Sequence, residues 1–257
     1  MRMFRAVAGA LASVLLPGEC RLCAEPLTSA TRVPICEACL AAMPRMKPGG
    51  CAICGRPLTQ SAGSADGHSA LCWQCNTGRY SFQRVRSYGE YEGQLIRAIL
   101  LLKFEKIEPL GAWFARRLLE VAQSEPEGFP ADLVVPVPLH RQRQRERGFN
   151  QVELFAKPLA RRLGLPYRPV LLMRTRPRPA KHLLGYEERW EAVRGAFAMQ
   201  KGGRVDNLRV LLLDDVMTTG ATLDACSRAL HEAGASSVLG LTLARAVQPA
   251  SPAGAFL

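Results

Sequence analysis

Continuous apolar runs and helical spacings take turns along most of this chain. Val210, Leu211, Leu212 and Leu213 are apolar without alternation, as in a strand buried on both faces of a parallel sheet. Residues 133–138 read the same way and end in the proline-bracketed turn Val-Pro-Val-Pro-Leu-His. Helical spacing covers 94–103, 109–121 (with a proline near its start), 151–163 and 223–231. Shorter strands are expected at 170–173, 197–199 and 237–244, and 80–91 reads as a strand or hairpin with Tyr-Gly-Glu-Tyr-Glu-Gly as its turn. Strands alternating with helices predict a parallel α/β sheet, whose ligands sit at the carboxyl ends of the strands.

Chemistry concentrates where the 210–213 strand ends. Asp214 and Asp215 are followed by a short loop, Met217 to Thr222, and then by a helix. A Gly/Thr loop at a helix N-terminus offers backbone N–H groups, hydroxyls and a favourable dipole to an anion. Carboxylates repel phosphate but accept hydrogen bonds from vicinal hydroxyls, so acids and loop together predict a sugar-phosphate site. Asp and Thr are also ordinary helix caps, which is the plain alternative.

Eight of the nine cysteines form four Cys-x-x-Cys pairs: Cys20/Cys23, Cys36/Cys39, Cys51/Cys54 and Cys72/Cys75. Each pair aims two thiolates at one centre, and two pairs complete a tetrahedral zinc site, so two structural Zn²⁺ sites are predicted. Pairing first with second and third with fourth needs the least chain crossing; an interleaved pairing, a single retained metal and redox-active pairs remain open. Disulfides would require export to an oxidising compartment. His68 reads as a loop residue and Cys226 as a small buried apolar residue.

The chain has 257 residues, 48% of them hydrophobic, enough for one domain and a smaller module. The expected division is an N-terminal helix at 1–16, a double zinc-ribbon module at 17–79, an α/β domain at 80–246 and a tail at 247–257. Met1–Leu16 carries Arg2 and Arg5 before a short apolar run that superficially resembles a signal peptide. It leads directly into the first cysteine pair and is too short to span a bilayer, so an amphipathic helix and a cytoplasmic location without membrane insertion are expected.

Net charge is +12, from 34 Lys+Arg against 22 Asp+Glu, which suits a phosphate-rich partner. Two segments hold much of it. Arg141, Arg143, Arg145 and Arg147 alternate before Gly148-Phe149-Asn150-Gln151; in extended chain they share one side, and on a helix they spread around the axis. His140, Arg141 and Arg147 are candidate pyrophosphate or nucleic-acid contacts, against the alternative of a solvated basic surface. Residues 174–195 are long, basic and interrupted by proline, and read as a mobile flap that brings Lys181 and Arg189 toward a polyphosphate.

The 209–222 stretch resembles the 5-phosphoribosyl-1-pyrophosphate (PRPP) motif of type I phosphoribosyltransferases. That resemblance places Asp214 and Asp215 on the ribose hydroxyls, and Thr218, Thr219, Gly220, Ala221 and Thr222 around the 5-phosphate. Mg²⁺ would accompany PRPP. The four cysteine pairs, Leu102-Lys103-Phe104, Arg147-Gly148-Phe149-Asn150-Gln151, Gly195-Ala196-Phe197 and Asp214 to Gly220 together resemble the ComF family. The likeness spans about residues 15–246. It implies an α/β, type I phosphoribosyltransferase-like parallel sheet flanked by helices, a small N-terminal double zinc-ribbon module and a link to DNA uptake and natural transformation. The expected ligands are PRPP and single-stranded DNA, and the expected protein partners belong to competence or DNA processing. The alternative is an active phosphoribosyltransferase with a nitrogenous acceptor. Lys181 and Ala192 depart from the family, which usually has Gln and Asn there.

Overall fold

The structure, a computed structural model, describes residues 18–27, 32–58, 70–177 and 186–247. The helix expected at 1–16, His68, Lys181 and the tail after residue 247 lie outside them. In chain order the elements are α1 (Glu37–Ala41), α2 (Trp73–Asn76), β1 (Arg84–Glu90), α3 (Gly93–Glu105), α4 (Glu108–Ser124), β2 (Leu133–Pro136), α5 (Arg141–Arg147), α6 (Glu153–Leu163), β3 (Leu172–Arg174), α7 (Tyr186–Glu191), β4 (Phe197–Met199), β5 (Arg209–Met217), α8 (Ala221–Glu232) and β6 (Ser237–Arg245).

Four strands form a parallel sheet in the order β1-β6-β5-β2. The unbroken apolar run of β5 is explained by burial from both sides. Leu211 and Leu213 join Leu239, Leu241 and Leu243 of β6 in a core under α3, α4 and α6. Val210 and Leu212 face the other way, with Val238, toward α8. Such two-sided cover is what a parallel sheet requires.

The cysteine lobes close the β1 edge. Residues 44–46 cross it: Arg45 bridges Gly89, and Met46 N–H donates to the Tyr88 carbonyl at 3.0 Å. Val85 N–H donates to the Ile53 carbonyl at 2.7 Å. Backbone groups that would template aggregation on a free edge are thus paired. Gly89 makes the crossing feasible, because a Cβ there would lie 1.9 Å from the Pro44 carbonyl oxygen. Of the strand or hairpin expected at 80–91 the strand forms, but the turn read into its end is corrected: Tyr88-Gly89-Glu90 is strand, and its glycine serves a close backbone approach instead of a turn.

One further expectation changes. Residues 170–173 and 197–199 do not join the parallel sheet; β3 and β4 pair antiparallel as a separate two-stranded hood. Of the segment read as a flap, 178–185 lie outside the described residues; on either side Arg174 ends β3, 186–191 form α7, and Thr175 N–H donates to the Ala196 carbonyl at 2.9 Å. α7 is held by Arg79, which pairs with Glu187 at 3.0 Å and stacks 4.1 Å over the Trp190 ring.

Candidate functional site

β2 and β5 are neighbours whose chains leave in different directions, β2 toward the hood and β5 through α8 to β6. Such a divergence opens a crevice at the carboxyl ends of the strands. The loops that follow β2 and β5 both end there.

After β5 the chain turns at Gly220 with φ +84° and enters α8. A side chain at Gly220 would be strained, and its Cβ would lie 2.8 Å from both Met217 Cε and Tyr80 Cε1. Tyr80 also donates its hydroxyl to the Thr219 carbonyl at 2.7 Å, so the loop rests on a floor of Tyr80 and Met217. Thr219 is buried and accepts from Ala221 N–H at 3.3 Å, while Thr218 and Thr222 are half-buried. Thr218, Thr219, Ala221 and Thr222 line one cleft with Arg174, Arg189, Ala192 and Val193 of the hood. The structure therefore places Arg189, read as a pyrophosphate or nucleic-acid candidate, beside the Thr-Thr-Gly loop together with Arg174.

The two acids diverge. Successive strand residues point to opposite faces, and Asp215 turns toward α3 and α6. There its Oδ2 accepts from Gln151 Nε2 at 2.6 Å and lies 3.1 Å from Lys103 Nζ. Gln151 in turn accepts from Arg147, and the Arg147 guanidinium lies 5.4 Å from the Phe104 ring centre. Asp214 accepts from Asp215 N–H at 2.8 Å on the α8 side, where burial, with the Asp214 charge added, pushes the Cys226 thiol up. Cys226 is thus a buried apolar residue, as expected.

Residues 141–147 form a helix, so their arginines spread around its axis; Arg141, Arg143 and Arg145 are exposed and Arg147 is half-buried. Burial, then the charge of Arg143, lowers the Arg147 pKa. His140 is the N-cap, its Nδ1 accepting from Gln142 N–H at 3.3 Å. Asn150 pins the loop to the end of β2 by donating to the Val137 carbonyl at 3.0 Å, and turns the chain toward α6 by accepting from Val152 N–H at 3.1 Å.

Lys103, Gln151 and Phe104 were not among the candidate residues read from the sequence. The signal lay in the Leu-Lys-Phe and Arg-Gly-Phe-Asn-Gln strings, whose side chains meet Asp215 only in the fold. Phe104 is 68% exposed beside Arg147, and Lys106 Nζ lies 5.8 Å from the Phe149 ring, giving a basic, aromatic rim to the crevice.

The cysteines gather as Cys20, Cys23, Cys36 and Cys39 and as Cys51, Cys54, Cys72 and Cys75, the sulfurs of each group within 4.8 Å of one another. The sequential pairing is the one adopted. Tetrahedral zinc with bonds of about 2.3 Å sets sulfurs about 3.8 Å apart. Cys23 and Cys36 lie at 3.7 Å, and Cys54 and Cys72 at 3.6 Å. In the first group burial disfavours the Cys20 thiolate, but N–H groups of Cys36 and Leu22 aimed at its sulfur help bring the pKa down to about 6. Donor chemistry and spacing fit two structural zinc sites.

A four-stranded parallel α/β sheet flanked by helices, carrying a double zinc ribbon on its edge, is the class that this fold and these cysteine groups define. The family described as "Double zinc ribbon domain" matches residues 11–76. DNA utilization protein YhgH of Salmonella typhi is 32% identical over 227 residues, covering 87% of this chain and 95% of that protein. Competence protein F of Haemophilus influenzae is 28% identical over 179 residues, covering 68% of this chain and 78% of that one. Among solved structures, a glutamine PRPP amidotransferase from B. subtilis overlaps 51% of this chain and 26% of its own, with 23% identity and a TM-score of 0.35. The chain belongs to the ComF family. Among the described residues no helix is long and apolar enough to cross a membrane.

Proposed function

We propose that this ComF-family protein binds PRPP with Mg²⁺ at the 214–222 loop and holds single-stranded DNA along the adjoining basic rim, in the cytoplasm, as part of handling incoming DNA. The observation that carries this is the cleft in which Thr218, Thr219 and Thr222 meet Arg174 and Arg189. Hydroxyls, a helix N-terminus and two guanidinium groups around one small space favour a phosphate monoester. The acids beside it, Asp214 and Asp215, supply acceptors for ribose hydroxyls. Mg²⁺, a hard cation that prefers oxygen ligands, offsets the charge of the pyrophosphate.

In this reading Lys103 and Gln151 hold Asp215 until the ligand competes for its lone pairs. Removing Lys103 would leave a carboxylate that is mostly buried without its cation, a loss of about 3–5 kcal/mol for such pairs. Arg147, joined to Gln151, connects the sugar site to the rim where Phe104 and Phe149 lie. Four exposed or half-buried arginines on α5 neutralise backbone phosphates, and Phe104 offers a face to an unpaired base. The names of the relatives, one for DNA utilisation and one for competence, support the nucleic-acid half of the proposal.

Thermal unfolding with increasing PRPP and Mg²⁺ tests the cleft. A ligand that binds only the folded state raises Tm with its concentration. The unaltered protein is expected to show this rise, and the Arg174→Ala/Arg189→Ala variant to lose most of it. A Tm that ignores PRPP, or an equal rise in the variant, would remove the proposal. Pyrophosphate release in the same samples, with nitrogenous bases added, separates turnover from binding.

A further inference from the structure

The two cysteine groups are equally compact and unequally accessible. In each, sulfurs from different Cys-x-x-Cys pairs lie close together: Cys23 and Cys36 at 3.7 Å, Cys54 and Cys72 at 3.6 Å. All four cysteines of the second group are buried, Cys51 and Cys54 completely, within a core that also holds Phe82, Val85 and Met217. In the first group Cys20 and Cys39 are buried, but Cys36 is half-buried and Cys23 is exposed.

A reversible thiol redox pair needs a sulfur that solvent reaches and a second sulfur beside it to resolve the oxidised form. Separation does not distinguish the groups, so access decides: a polar oxidant carried by water meets Cys23 and is kept from the second group. Local bonding points the same way. Cys20 Sγ accepts from the N–H groups of Leu22 at 3.4 Å and Cys36 at 3.3 Å, deep in the lobe. Cys23 is left facing water, with the Cys36 sulfur directly behind it.

We infer that Cys23 and Cys36 are a modification site for hydrogen peroxide and similar two-electron oxidants, one that opens the first zinc lobe and leaves the second closed. The Cys23 sulfur attacks one peroxide oxygen; the O–O bond breaks, hydroxide leaves, and Cys23 becomes a sulfenic acid. The Cys36 sulfur then attacks the Cys23 sulfur, forming the S–S bond and expelling a second hydroxide. Two electrons pass from the two thiolates to the peroxide, and two protons from solvent turn both hydroxides into water. Only Cys20 and Cys39 then remain as donors, too few for a closed four-sulfur site. A dithiol reductant reverses the change by thiol–disulfide exchange. Whether PRPP binds does not bear on this pair.

Full-length protein loaded with two zinc ions is treated with hydrogen peroxide. A chromophoric indicator reads the zinc released, and alkylation of the remaining thiols with peptide mass mapping reads which cysteines have joined. One of the two ions should be lost, with Cys23 linked to Cys36, while Cys51, Cys54, Cys72 and Cys75 stay reduced. Dithiothreitol with added zinc should restore two ions per chain. Release of both ions in step, retention of both, or a disulfide other than Cys23–Cys36 overturns the inference.

Discussion

Phe104 shows how a single residue can be plain in the sequence and opaque in meaning. It ends an apolar helical pattern, yet it is 68% exposed and lies beside Arg147, 43 positions further along. Phe104→Ala removes little from the core, so Tm should hold. Affinity for single-stranded DNA should fall by about 1–3 kcal/mol, the worth of a stacked base, read by fluorescence anisotropy with a labelled strand. Unchanged affinity would place the strand elsewhere. The Asp214–Thr222 string was legible because its acids, hydroxyls and glycine are contiguous. Lys103 and Gln151 were not, because each gains its role from Asp215, a contact made across 64 positions in the case of Gln151. The sequence also grouped two acids that the strand's pleat then sends to opposite faces.

At the scale of elements, continuous apolar runs marked β2 and β5 because burial on both faces suppresses alternation. Where a second constraint intervened, pattern misled. Gly89 looked like a turn residue and proved to be the point where residues 44–46 cross β1. β3 and β4, three residues each, carry too little periodicity to reveal that they form an antiparallel hood. The alternate arginines allowed extended chain or helix; α5 is helical, capped by His140 and closed by Gly148 in the left-handed region. Its basic face belongs to the element as a whole. Replacing Arg141, Arg143 and Arg145 by Gln should lower the log–log salt slope of single-strand binding by roughly 2, at about 0.7 per phosphate contact. An unaltered slope would make α5 a solvated surface with no part in binding.

Across the whole molecule, the zinc module and the sheet share two buried cores. The first cysteine lobe joins the core under α3, α4 and α6, and the second joins the one facing α8. The ribbon therefore does more than cover an edge. Through Tyr80, five residues after Cys75, it reaches the loop proposed to hold PRPP. The double ribbon and the α/β class were legible from cysteine spacing and strand–helix alternation. Their union at the β1 edge was not, because it depends on backbone pairing that no side-chain pattern encodes. The claim on which the account turns is that the 214–222 loop binds PRPP. Isothermal titration of zinc-loaded protein with PRPP and Mg²⁺, beside the Asp214→Ala/Asp215→Ala variant, measures it directly. Saturable binding to the unaltered chain and none to the variant is the predicted result; no heat from either, or equal binding by both, would contradict it.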